Sequence, residues 1–220
     1  MKRKTGNLLM AAGAVLVGLA LLLFLYNQWD SKRAEIAASD VMEQFKAEIQ
    51  MAETGVDMAE NAPVMEETER SETGAGAAEE SQTLKAMEID GNTYMGYLSI
   101  PSIGLELPVM TDWSYEGLKI APGRYSGAPE TKDLVIAGHN YARHFSPIKW
   151  LKTGSEIDFT DADNHRWTYQ VSSVEQLNPD QVEEMISKEG DQPWDLTLFT
   201  CTTGGQMRYA VRCTETKNPY

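Results

Sequence analysis

Both cysteines of this 220-residue chain lie close together near its C-terminus, at Cys201 and Cys213. Two chemistries suit such a pair: a disulfide that closes a hairpin, or a nucleophilic thiolate with the second cysteine packed elsewhere. Gly204 and Gly205 lie between the cysteines and tolerate the positive φ of a tight turn, so they predict a hairpin centred there. The register of that hairpin decides between the two chemistries.

A turn at these two glycines places Cys201 opposite Arg208, and Cys213 then faces Leu196. Opposed residues share a face of the sheet, but Leu196 and Cys201 are separated along the strand by about 17 Å, at about 3.4 Å per residue. A disulfide needs Cα atoms within about 7 Å. This register favours a Cys201 thiolate beside a guanidinium, which stabilises the nucleophilic form and can hold an oxyanion. A disulfide stays possible if the chain turns elsewhere.

A cysteine nucleophile needs an acid that protonates the leaving amine, and histidine is the usual choice. The chain has three histidines. His139 follows the apolar run at 133–137, so a strand end would present it to a site. His144 lies in the next loop and His165 in a turn, where solvation is expected. His139 is therefore the candidate acid, although a lone histidine is as often structural.

Short apolar runs separated by turn residues surround these positions and predict an all-β domain. The predicted strands cover 94–100, 105–110, 133–137, 156–160, 166–177 and the two arms of the cysteine hairpin. Residues 121–127 are predicted as loop, 145–151 as one helical turn and 179–188 as a short helix. About eight strands with one or two short helices predict a closed barrel.

The acidic turn at Asp161, Asp163 and Asn164 is similar to the start of a calcium-binding loop. It lacks the glycine and the distal glutamate of that pattern, so a plain turn is favoured. No other cluster of metal ligands stands out in the sequence. We therefore expect no metal or other cofactor from the residues alone.

The N-terminal residues 1–30 are predicted to anchor the chain in a membrane. The uncharged apolar run from Leu8 to Tyr26 would form a helix of about 28 Å, close to the roughly 30 Å hydrocarbon core. A cleaved secretory signal is the alternative, but its apolar region is usually only about 7–15 residues. The basic flank Lys2–Lys4 predicts a cytoplasmic N-terminus, with the rest of the chain outside.

Residues 31–87 are predicted to connect the anchor to the folded part, 88–220, which is large enough for one core. Residues 31–50 predict a helix, interpreted as a stalk. That helix carries Ile36, Val41, Phe45 and Ile49. Residues 51–80 hold acidic residues and one base, which predicts a disordered spacer, with an acidic docking tail as the alternative. The net charge of −14 argues against nucleic acid as a partner.

The residues around the cysteine and the histidine resemble the sortases, membrane-anchored cysteine transpeptidases of Gram-positive bacteria. Thr197–Cys201 is similar to the family's T-L-x-T-C signature, and Ala137–Asn140 to the segment that carries its histidine. Residues 96–110 are similar to the family's opening strands. Arg208 matches the family's arginine better than Arg212 does. The resemblance covers nearly all of residues 94–212. Some features are similar to class B, so the subclass is open.

The resemblance implies a sortase-type closed β-barrel and a defined mechanism. Cys201 would cleave a C-terminal sorting signal after a threonine, giving a thioester acyl-enzyme. His139 would protonate the leaving amine and then deprotonate the incoming amine. Arg208 would hold the substrate and the oxyanion. Thr200 and Asn140 are expected beside the substrate.

The implied partners are surface proteins that bear the sorting signal, and an amine acceptor on a peptidoglycan precursor or a pilin lysine. The implied location is the cell membrane, crossed once, with the catalytic domain extracellular. Some sortases bind calcium, but no calcium site is assigned here. Two rival interpretations are kept: an anchored non-catalytic β-domain with a Cys201–Cys213 disulfide, and another Cys/His peptidase or an L,D-transpeptidase-like enzyme.

Overall fold

One long helix precedes a set of nine strands in the computed structural model, which describes residues 2–53, 85–181, 186 and 194–216. Helix α1 spans Lys2–Glu53. The strands are β1 (Met87–Ile89), β2 (Asn92–Ile100), β3 (Leu105–Met110), β4 (Gly123–Ser126), β5 (Leu134–Gly138), β6 (Glu156–Asp161), β7 (Arg166–Leu177), β8 (Leu196–Cys201) and β9 (Arg208–Glu215).

Eight of these strands close into a barrel. Their hydrogen-bonded order is β2-β3-β4-β5-β8-β9-β7-β6, and β6 pairs back with β2. Strand β1 adds a short hairpin at the start of β2. The pairs β3–β4 and β5–β8 are parallel, and the other pairs are antiparallel. The predicted closed barrel of about eight strands is confirmed.

Alternation along β8 separates the barrel core from the face that carries the candidate site. Leu196 and Leu198 belong to the interior core, together with Cys213 of β9. Phe199 belongs to a second apolar cluster on the other face, with Ala210 of β9. Because side chains alternate along a strand, Cys201 shares this second face.

The strands predicted from the apolar runs are all present, and the two strands that the sequence missed are β1, which has three residues, and β4. Strand β4 has only four residues and follows Pro122, so residues 121–127 have the composition of a loop. It pairs with β5 along its length but touches β3 through a single pair, Met110 and Gly123. The predicted helical turn at 145–151 is a 3-10 helix, Ser146–Trp150. The predicted helix at 179–188 falls largely outside the described residues.

Helix α1 is continuous from the apolar run into the segment predicted as a stalk. Its apolar first half is exposed, and it is the one described helix long and apolar enough to cross a membrane. The second half does not stand free, because it packs on the barrel. Its buried face consists of Ser31, Ala34, Ala38, Val41, Met42, Phe45 and Ile49. This spacing is that of an amphipathic helix.

The stalk interpretation of residues 31–50 is therefore wrong in one respect: the helix exists, but it is docked. Phe45 is fully buried and meets the Tyr97 ring at 6.1 Å, and Lys46 forms an ion pair of 2.7 Å with Glu106. Ile36, which was predicted with the apolar face, is 52% exposed. Most of the predicted acidic spacer at 51–80 lies outside the described residues.

Candidate active site

Three neighbouring strands bring His139, Cys201 and Arg208 to one end of the barrel. Strands β5 and β8 run parallel, and their last pair is Gly138 with Thr200. His139 and Cys201 are therefore the next residues of two adjacent strands. Cys201 also pairs directly with Arg208 on β9. The structure thus places all three predicted catalytic residues together.

The two cysteines take the register predicted from the glycines. Cys201 lies opposite Arg208, and Cys213 lies opposite Leu196. Both are free thiols, so the predicted disulfide alternative is wrong. Cys213 is fully buried in the barrel core, and burial raises the pKa of its thiol. A protonated buried thiol is a poor nucleophile, which leaves Cys201, half-buried at the surface, as the candidate.

The loop between β8 and β9 is longer than the predicted two-residue turn. It runs from Thr202 to Met207, with Gly204 and Gly205 at φ values of 87° and 74°. The Gly205 N–H donates to the Thr202 carbonyl at 2.8 Å, and the Met207 N–H donates to the Thr202 hydroxyl at 3.1 Å. Thr202, directly after the candidate nucleophile, therefore organises this loop.

Asn140 joins the histidine to the cysteine loop. Its backbone N–H donates to His139 Nδ1 at 2.9 Å, so the neutral imidazole carries its proton on Nε2. Its side-chain Oδ1 lies 3.2 Å from the same Nδ1 and can accept a hydrogen bond from the Nδ1–H of the imidazolium. Its Nδ2 donates to the Thr202 carbonyl at 3.2 Å. One residue thus holds Nδ1 in both protonation states and leaves Nε2 for proton transfer.

Thr200 connects strands β8 and β5 by a hydrogen bond next to the site. Its hydroxyl is buried and donates to the Gly138 carbonyl at 2.8 Å. Gly138 is required there because a Cβ would lie 2.3 Å from the Phe145 ring. The predicted contacts of Thr200 and Asn140 with a substrate stay predictions; the structure shows that both side chains already bond within the site.

The two arginines of β9 have different surroundings. Arg208 Nη1 donates to the Gly205 and Met207 carbonyls at 3.0 and 3.1 Å, so the guanidinium folds back on its own loop beside Cys201. Arg212 is buried: its Nε donates to Glu175 at 2.7 Å and its Nη1 donates to Thr197 at 2.9 Å. Arg212 therefore connects β9 with β7 and β8 in the barrel, and Arg208 is the arginine beside Cys201.

An aromatic cavity of about 210 Å³ opens next to these residues. Cys201, Thr200 and Arg208 line one part of it. Another part of the lining is aromatic: Trp113 stacks on Tyr125 at 5.4 Å, and Tyr125 meets Phe199 edge-on at 5.2 Å. This aromatic part offers an apolar surface to a peptide side chain beside a thiol and a guanidinium.

Sequence reasoning missed the residues that follow the histidine. Tyr141 stacks on His139 with ring centroids 4.1 Å apart. His144, expected to be solvated, is fully buried, with the Ala34 carbonyl of α1 close to its ring but outside standard hydrogen-bond geometry. His165 is exposed, as predicted, and its Nδ1 lies 3.2 Å from Asp161 Oδ2. Only the i, i+2 spacing of His139 and Tyr141 hinted at an aromatic partner.

No group of three or more His, Cys, Asp or Glu side chains in the described ranges is arranged to hold a metal ion. In the predicted acidic turn, Asp161 Oδ1 accepts the backbone N–H groups of Asp163 and His165. These bonds are those of an ordinary turn built around an aspartate. The turn interpretation of this segment therefore agrees with the structure.

Comparison with known proteins identifies the class to which this closed β-barrel, with a cysteine, a histidine and an arginine at adjacent strand ends, belongs. The family model of the sortase domain matches residues 98–216, more than half of the chain. The chain therefore belongs to the sortase family.

Individual relatives agree with the family model. The chain is 32% identical over 136 residues to sortase A of Bacillus anthracis, a match that spans 56% of this chain and 60% of that relative. It is similar to the crystal structure of sortase C1 from Streptococcus agalactiae, with a TM-score of 0.52, 30% identity, and coverage of 60% of this chain and 72% of that one.

The fold is also that of a Clostridium perfringens sortase C solved with the C-terminal cell wall sorting motif. That likeness has a TM-score of 0.52 at 24% identity, and it covers 63% of this chain and 76% of the other.

Proposed function

We propose that this chain is a membrane-anchored transpeptidase that cleaves a sorting signal and transfers the acyl group to an amine. The observation that carries the proposal is the placement of His139, Cys201 and Arg208 on adjacent strand ends, beside an aromatic cavity. A nucleophile flanked on its two neighbouring strands by an acid and a cation is what acyl transfer to sulfur requires.

In the acylation step, the Cys201 thiolate attacks the backbone carbonyl carbon of the threonine in the sorting signal. The C–S bond forms, the C–N bond breaks, and the His139 imidazolium gives its Nε2 proton to the leaving amine, while its Nδ1–H stays within reach of Asn140 Oδ1. Arg208 stabilises the negative charge on the carbonyl oxygen after its guanidinium leaves the Gly205 and Met207 carbonyls.

In the second step, an incoming amine attacks the thioester carbonyl, His139 takes the proton of that amine, and the Cys201 thiolate leaves. The acceptor is an amine of a peptidoglycan precursor or a lysine of another protein. Both present the same nucleophile to the acyl-enzyme, so an acceptor screen distinguishes them.

The orientation of the chain in the membrane belongs to the same proposal. The exposed apolar first half of α1 crosses the bilayer once, the basic flank Lys2–Lys4 remains in the cytoplasm, and the barrel lies outside. Protease added to intact cells should reach the barrel, and only lysis should expose a tag placed before Lys2.

The full chain in detergent tests the catalytic proposal with fluorogenic LPxTG-like and NPxTN-like peptides and several amines. We expect cleavage, a covalent acyl adduct at Cys201 by mass spectrometry, and transfer to an added amine. Cys201→Ala should abolish all three. Cys213→Ala is the matched control, because its thiol lies in the core and should leave turnover intact. Normal cleavage by Cys201→Ala would overturn the proposal.

A further inference from the structure

The segment that carries the candidate histidine is docked on helix α1. Tyr141 Oη donates to Asp30 Oδ2 at 2.5 Å, and Arg143 forms an ion pair of 2.9 Å with Glu35. His144 is buried beneath the same helix. Three successive contacts therefore connect the residues after His139 with the part of α1 that directly follows the apolar run.

Only one of these contacts reaches the histidine ring. Tyr141 lies over His139, with the ring planes 23° apart and the centroids 4.1 Å apart. Its hydroxyl is held by the Asp30 carboxylate. Burial and this carboxylate raise the pKa of Tyr141 to about 12, so the phenol stays a donor at neutral pH. The bond from Tyr141 lowers the pKa of Asp30, so the carboxylate stays charged.

We propose that Asp30 and Tyr141 are positioning residues that set the His139 ring for proton transfer, and that α1 is thereby part of the active-site framework. The inference rests on the proposed function of His139 as the acid and base. Asn140 holds one edge of the imidazole through Nδ1. Tyr141 covers one face and opposes rotation of the ring. Together they leave Nε2 as the working nitrogen.

The chemistry of the pair suits a histidine that changes charge during the reaction. An aromatic face stabilises a stacked cation, and the Asp30 carboxylate behind the tyrosine adds a favourable charge. An isolated tyrosine would stack without a fixed orientation. The charge-assisted bond to Asp30 fixes the phenol, and the phenol in turn fixes the imidazole.

This arrangement also connects the active site with the part of α1 that follows the apolar run. Asp30 is one helical turn, about 6 Å, beyond Tyr26 at the end of the apolar run. With the apolar run in the bilayer as proposed above, the Tyr141–Asp30 bond would connect His139 to a helix position one turn outside the lipid.

Kinetics of the full chain in detergent test the pair. Tyr141→Phe keeps the stacked ring and loses the bond to Asp30, and Asp30→Ala removes the same bond from the other side. Each should lower kcat by roughly threefold to tenfold with KM within about twofold, since misplacing a catalytic group acts on turnover. The double variant should lose no more kcat than the more impaired single variant, because both remove the Tyr141–Asp30 bond; Asp30 also pairs with Arg33 at 3.1 Å, but that contact lies within α1 and does not reach His139.

Tyr141→Leu, which also removes the stacking, should lower kcat further, by about tenfold or more. Arg143→Gln is the matched control: it lies in the same segment and contacts the same helix, but it does not touch His139. Its kcat should stay within about twofold of wild type, and its effect should add to that of Asp30→Ala.

A second measurement does not depend on a substrate. In NMR spectra of the full chain with labelled histidine, the His139 ring protons, assigned with His139→Gln, should shift downfield in Tyr141→Leu and little in Arg143→Gln. The inference is overturned if these signals do not move, if Arg143→Gln equals Tyr141→Phe, or if Tyr141→Phe and Asp30→Ala add. If Tyr141→Leu does not fold, Tyr141→Phe and Asp30→Ala decide.

The outcomes separate this inference from the proposed function. Wild-type cleavage that depends on Cys201, with kcat unchanged in Tyr141→Phe and Asp30→Ala, leaves the function intact and removes the positioning role. A His139 ring that responds to Tyr141→Leu, in a chain that cleaves no sorting peptide, supports the positioning and removes the function.

Discussion

Cys201 lies directly opposite Arg208 in the antiparallel pair of β8 and β9. Side chains at opposed positions share a face, so in the proposed mechanism a change of rotamer would bring the guanidinium to the oxyanion of the carbonyl that Cys201 attacks. In the structure the guanidinium is held instead by two carbonyls of its own loop. In this conformation the Arg208 side chain bonds its own loop beside Cys201 and is not directed at a substrate.

Arg208→Lys should lower kcat/KM for a sorting peptide by about 10²-fold, because an ammonium loses the planar two-pronged contact and much of the oxyanion stabilisation. Steady-state cleavage assays measure this. Arg212→Lys is the matched control, and it should affect the melting temperature more than turnover, since Arg212 bonds Glu175 and Thr197. The opposite pattern would move the catalytic role to Arg212.

Asn140→Ala should lower kcat by about tenfold, because it removes the acceptor for the imidazolium and the tie to Thr202. The backbone bond to His139 Nδ1 survives, so the loss should stay below that of His139→Ala. Peptide cleavage rates, with circular dichroism to check folding, measure the difference. An Asn140→Ala enzyme as slow as His139→Ala would show that the side chain does more than hold the ring.

Gly138→Ala should destabilise the fold by about 1–3 kcal/mol, since the new Cβ would lie 2.3 Å from the Phe145 ring and must displace it. Activity should fall as well, because His139 is the next residue. Thermal unfolding and cleavage assays measure both effects. Phe145→Leu in the same chain makes room and should restore part of the activity; no recovery would mean that the clash is not with Phe145.

Stability should fall as the pH drops below 6.5, through His144. Burial lowers the pKa of this histidine from its ordinary value of 6.5. Below that value the unfolded chain binds a proton at His144 and the folded chain does not. The free energy of unfolding therefore decreases by up to about 1.4 kcal/mol per pH unit until the pKa of the folded state is reached.

Thermal melts between pH 5 and 8 measure the His144 effect, and His144→Leu should flatten the profile in this window. A slope that persists in His144→Leu would assign the titration to another group.

Local patterns were enough to predict a large part of this protein. Strand positions followed from short apolar runs bounded by turn residues, because a buried strand needs apolar side chains and a turn needs polar or flexible ones. The pairing of Cys201 with Arg208 followed from the glycines between them, although the loop is longer than two residues. The segment of β4 was missed because four residues beside a proline carry no periodicity.

The sequence by itself determined the features that depend on neighbours in the chain: the apolar helix, the strands and the cysteine register. Only the tertiary structure decided which distant segments meet. Thr200 bonds Gly138 across 62 positions, and Tyr141 bonds Asp30 across 111. Neighbouring residues do not predict such contacts, because they result from many weak packing interactions over the whole barrel and the docked helix. For that reason the burial of His144 and the support of His139 by α1 became visible only in the fold.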